Sequence, residues 1–104
     1  MPPRMQLNAR QRQFLKGQAH DLEPIVHIGK NGLTDAVIAQ LDCALEDHEL
    51  LKAKVAKECP QKAKEIGDVA GPQLRCVVVQ VIGRNLVLYR RHPKTPKIPL
   101  PTHT

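Results

Sequence analysis

The chain contains no tryptophan and no serine, and only Phe14 and Tyr89 are aromatic. The absence of serine excludes a serine nucleophile. With two aromatic rings the core must be aliphatic, and a platform on which successive bases stack is not available. The three cysteines, Cys43, Cys59 and Cys76, are widely spaced with no CxxC pair. That pattern suggests neither a zinc site nor a disulfide framework, and Cys43 with His48 falls short of the three protein ligands zinc needs. Long apolar runs are missing too. "MPPRMQLNARQ" has no hydrophobic stretch, so no signal peptide is expected, and "CVVVQVIG" is far too short to span a bilayer. The expectation is a cytoplasmic protein with reduced thiols, no membrane contact, no metal and no cofactor.

What is present begins with charge. Sixteen Lys and Arg against ten Asp and Glu give a net +6 on 104 residues. A domain this small and basic commonly meets polyanions, because counterions released from phosphates favour binding. The length suits one domain, which buries roughly two-thirds of the surface its unfolded chain exposes. Apolar residues make up 41%, ordinary for a globular fold.

Periodicity supplies the elements. "LNARQRQFLKGQAHDL" reads as a helix with Asn8 as N-cap, Gln11 completing a capping box, and an apolar stripe of Leu7, Phe14 or Leu15, Ala19 and Leu22. Arg12 and Lys16 share another face, and Glu23-Pro24 is expected to end the helix. "PIVHI" is a short buried strand. Thr34 caps a second helix with Asp35 in its first turn and Val37 or Ile38, Leu41 and Leu45 as its stripe. "LLKAKVA" alternates, placing Leu51, Ala53 and Val55 on one side and Lys52 and Lys54 on the other.

A third helix is expected from Pro60, with Ala63, Ile66 and Ala70 inward, Gly67 weakening it, and Gly71-Pro72 stopping it. "RCVVVQVI" is the strongest strand, "GRN" a three-residue turn, and "LVLYRR" the returning hairpin strand. Tyr89 reads as a hairpin side chain packed on the first helix. "HPKTPKIPLPTHT" holds four of the nine prolines and should be extended, flexible or laid along its own domain.

The order is α-β-α-β-α-β-β. Right-handed crossovers then predict a two-layer α/β (α+β) sandwich: a mixed four-stranded sheet with helices packed mainly on one face and the other face partly open.

Between the first strand and second helix stands "HIGKNGLT", residues 27–34. It lacks the GxxxxGK[ST] of a phosphate-binding loop and the GxGxxG of a dinucleotide site. Two glycines, backbone N–H groups and Lys30 suit a phosphate oxygen, as in loops that clamp single-stranded nucleic acid. By itself GxxG is weak, and a plain strand-to-helix turn explains it equally well.

Three segments in order, "LKGQAHDLEPIVHIGKNGLT", "ALEDHELLKAKV" and "VQVIGRNLVLYR", resemble the CRM domain, the RNA-binding module of chloroplast splicing factors and bacterial YhbY-like proteins. The likeness covers residues 7–91, leaving 1–6 as an N-terminal extension and 92–104 as a Pro-rich tail. "KIPLP" is similar to the end of bacterial single-domain members, while "CPQKAKEIGDVAGPQLR" departs from the family pattern.

The resemblance implies a fold similar to the C-terminal domain of a bacterial translation initiation factor. It also implies RNA contact at Gly29, Lys30, Asn31 and Gly32, and association with precursors of the large ribosomal subunit. His48 stands in the family's HEL signature and His20 after the first helix, both as structural residues.

Beside the loop, Arg10, Arg12, Lys16, Lys52, Lys54 and Arg84 are candidate phosphate contacts and His27 a candidate RNA contact; Arg90 and Arg91 are ambiguous. The function expected is that of a monomeric, non-enzymatic RNA-binding protein whose partner is ribosomal RNA of large-subunit precursors. The rivals are a phosphate-handling enzyme built on the loop and a module docking assembly factors through Pro93, Pro96, Pro99 and Pro101. Aspartate at Lys30 or Gly32 is expected to remove RNA affinity at little cost in stability.

Overall fold

Asn8 and Gln11 exchange side-chain-to-backbone hydrogen bonds of 2.8 and 3.1 Å, and this capping box opens α1 (Ala9–His20). The computed structural model describes residues 7–100; the extension 1–6 and residues 101–104 of the tail lie outside the described residues. α1 stops before Glu23-Pro24, where the Leu22 N–H turns back to the Ala19 carbonyl, and Leu22 leaves the apolar stripe at 37% exposure. There follow β1 (Val26–Ile28), α2 (Asp35–His48), β2 (Leu50–Val55), α3 (Ala63–Leu74), β3 (Val77–Ile82) and β4 (Asn85–Tyr89). Thr34 caps α2 by accepting the Val37 N–H at 3.2 Å.

The sheet order is β1-β2-β4-β3, with β1 parallel to β2 and β4 antiparallel to both its neighbours. β2 and β3 therefore run parallel across β4. Each parallel pair is joined through one helix, and right-handed crossovers set α2 and α3 on the same face. There Leu41, Leu45, Ile66 and Ala70 pack on Ile28, Leu51, Ala53, Leu86 and Leu88. Gly67 lets α3 lie close to the sheet, since a Cβ there would stand 3.1 Å from Val78 and 3.2 Å from Leu86.

Alternation sends Leu50, Val87 and Tyr89 to the opposite face, where Leu15 and Ala19 of α1 cover them. α1 precedes every strand, so no crossover rule holds it with the other helices. The tail closes the same cluster: Ile98 and Leu100 pack on it, and the Lys97 N–H donates to the buried Glu49 carboxylate. The tail thus lies along its own domain. The rest of this face stays open and carries Lys52 and Lys54.

Two boundaries differ from expectation. α3 starts at Ala63 and runs through Gly71-Pro72 to Leu74. A proline in the last turn loses only one intrahelical bond, and the helix closes instead at left-handed Arg75, with Arg75 and Cys76 N–H groups returning to Pro72 and Gly71. The hairpin turn has two residues, Gly83 and Arg84, and Asn85 already pairs with Lys54 and Ile82. Gly83 at φ 58, with no positive φ at Arg84, is the two-residue geometry that matches strand twist.

Candidate nucleic-acid interface

Three connections meet at one end of the sheet. The Ile28 carbonyl accepts from the Ala56 N–H and the Arg84 carbonyl from the Val55 N–H, each at 2.8 Å. These bonds bring the 29–33 loop, the 56–62 connection and the 83–84 turn side by side. Within the first, the Gly32 N–H donates to the Gly29 carbonyl at 3.0 Å, leaving Lys30 and Asn31 exposed at the crest of a tight turn.

The two glycines differ. Gly32 is buried at φ 72, and a Cβ on it would lie 2.5 Å from the Gln61 side-chain oxygen, which accepts the Leu33 N–H at 2.9 Å. The fold itself requires this glycine, so aspartate at Gly32 cannot be neutral to stability as the sequence suggested. Gly29 is exposed, has no positive φ, and has no neighbouring atom within 4 Å of where a Cβ would stand. The α2 N-terminus already has the Thr34 oxygen and Asp35 as anionic or polar partners, so the crest offers the better place for an incoming phosphate.

Charge accumulates here. Register pairs His27 with Lys54, both exposed, and with Gly29 they line a depression of about 330 Å³. Lys57, Lys62, Gly83 and Arg84 border the adjoining hollow. Lys57 and Lys62 escaped sequence reading, because only the packing of the 56–62 connection carries them to the loop. Their spacing within "AKECPQK" gives no periodic signal.

Lys52, half-buried, stands two residues before Lys54 on the open face, and with Lys16 it borders a groove beneath α1. Arg12 is not among these residues. Its guanidinium donates to the Val78 and Val79 carbonyls at 2.8 and 3.0 Å, pinning α1 to the β3 bulge at the far edge of the sheet. Arg10 is exposed in the first turn of α1. Arg90 is structural: it binds Asp42 at 2.7 Å, Glu46 at 3.5 Å and the Leu74 carbonyl at 3.1 Å.

His48, the last residue of α2, is exposed, whereas its neighbour Glu49 is fully buried at φ 63. Tyr89 is also fully buried, against α1, and cannot serve as a stacking surface. Its phenol is pushed up to about 12, first by burial and then by the Glu49 carboxylate, with Arg91 opposing. Among the described residues no group of three or more His, Cys, Asp or Glu could hold a metal, and no helix is long and apolar enough to cross a membrane.

Residues 7–90 match the family model described as the CRS1 / YhbY (CRM) domain. The chain is 44% identical to a Haemophilus influenzae protein named "RNA-binding protein", over 91% of this chain and 95% of that one. It is 36% identical to the Bacillus subtilis "Probable RNA-binding protein YqeI", over 91% and 99%. The solution structure of the Staphylococcus aureus hypothetical protein SAV1595 superposes with a TM-score of 0.78 at 35% identity, covering 92% of this chain and 100% of that one. The family model spans residues 7–90 and the relatives match almost end to end: the chain belongs to the CRS1/YhbY (CRM) domain family.

Proposed function

We propose that this protein binds RNA without catalysing a reaction, and that its partner is ribosomal RNA in precursors of the large subunit. It would act as a cytoplasmic monomer. The observation that carries the reading is the meeting of Lys30, Lys54, Lys57, Lys62 and Arg84 at one end of the sheet, around a loop whose first glycine has no structural reason to be glycine. The names of the relatives point to RNA, and the large-subunit precursor is what the resemblance to bacterial single-domain CRM proteins implies.

Capture is electrostatic. The phosphate backbone settles over the Lys30–Asn31 crest, and Gly29 allows it close to the main chain. A docking role for the Pro-rich tail fits less well, because Ile98 and Leu100 turn onto the domain's own core. The test is Lys30→Asp, measured against ribosomal RNA fragments at moderate salt. Affinity should fall at least tenfold with the melting temperature unchanged; undiminished binding removes the loop from the interface.

A further inference from the structure

We infer that the groove between α1 and the open sheet face seats an unpaired base of the bound RNA, an inference that rests on the RNA-binding reading above. The groove holds about 310 Å³, enough for one nucleobase but far too small for a duplex. Ala19, Val87 and Ile82 give it apolar surface, and the side chains of Gln13, Gln80 and His20 line it as well. Each amide offers a donor and an acceptor, so the edge of any base can be met there. Lys16 and Lys52 line the same groove, where they can hold the phosphates on either side of the seated base.

Two further observations point to this occupant. Gly17 lies within α1, where glycine costs about 1 kcal/mol relative to alanine. No atom lies within 4 Å of where its Cβ would stand, so close packing does not explain it; the space it leaves open is part of the groove.

The second is continuity with the loop. His27, Lys54, Asn85 and Ile82 form one row across all four strands, beginning beside Gly29. The next row, Lys52, Val87 and Gln80, lines the groove. A strand held at the loop therefore crosses basic and polar ground directly into the groove. No Trp, Tyr or Phe lines the groove, so the base is held by its edge and by apolar contact, with the exposed His20 imidazole in the same lining.

Gly17→Leu separates the possibilities. A Cβ at this position meets no atom within 4 Å and leucine favours the helix, so the variant should fold with an equal or higher melting temperature while its side chain occupies the groove. The probes are a single-stranded oligoadenylate ten-mer and a blunt RNA duplex, with Lys30→Asp measured in parallel. We expect Gly17→Leu to bind the single strand at least tenfold more weakly while duplex binding holds within twofold, and Gln80→Leu to weaken the single strand several-fold. Unchanged single-strand binding by Gly17→Leu, with Lys30→Asp impaired, overturns the groove and leaves the loop standing. Equal loss on single strand and duplex also overturns it. If the unaltered protein binds neither probe nor ribosomal RNA, the RNA reading falls and the groove with it.

Discussion

The side-chain oxygen of Gln61 occupies the space that a Cβ on Gly32 would need, 2.5 Å away, and it holds the Leu33 N–H at 2.9 Å. One glycine of the loop is thereby committed to the fold and the other, Gly29, is not. Gly32→Ala should cost about 2 kcal/mol, from a non-glycine residue at positive φ and the disturbed Gln61 bond. Gly29→Ala should leave urea denaturation unchanged and weaken RNA binding. Equal stability losses at the two positions would contradict the distinction.

Salt dependence should count the phosphate contacts. Lys54→Ala and Arg84→Ala should each lower the slope of log affinity against log salt by about one, uniformly across RNA sequences. A variant that loses affinity with an unchanged slope does not contact phosphate.

Arg12 should behave in the opposite way. Its two bonds to the β3 bulge tie α1 to the sheet edge, and Arg12→Ala should cost about 2 kcal/mol in urea denaturation. The salt slope of RNA binding should stay as it is, since the guanidinium is engaged away from the loop.

Tyr89 is the only tyrosine, so absorbance at alkaline pH reports it alone. The folded protein should titrate near 12 and the urea-unfolded chain near the ordinary value of about 10. Folding favours the neutral phenol. Its contribution is therefore full below about pH 10 and is lost as pH rises through 12. Glu49→Gln should lower the folded midpoint by removing a nearby negative charge; an unmoved midpoint would leave burial as the only cause.

Much of this molecule was legible from local chemistry. The Asn8–Gln11 box and the Thr34 cap follow from short-range hydrogen bonding, and the alternation at 50–55 places Lys52 and Lys54 together on one face. The α-β-α-β-α-β-β order implies parallel crossovers and hence two helices on one face. The GxxG loop and its family were also readable, because "HIGKNGLT" is contiguous and its neighbours match in order.

Tertiary structure decided what depends on distant residues. Only packing shows that Gln61 claims Gly32 while Gly29 stays open, or that Lys57 and Lys62 arrive beside Lys30's loop. Helix periodicity put Arg12 with Lys16, but the β3 bulge, set by pairing with β4, draws Arg12 away to its carbonyls. Nothing local marked Glu49 for burial, since its partner is the Lys97 N–H, brought back by the tail. Local sequence determines caps, alternation and element order because those interactions span a few residues. Which cations are free to meet a polyanion is decided by contacts tens of residues apart.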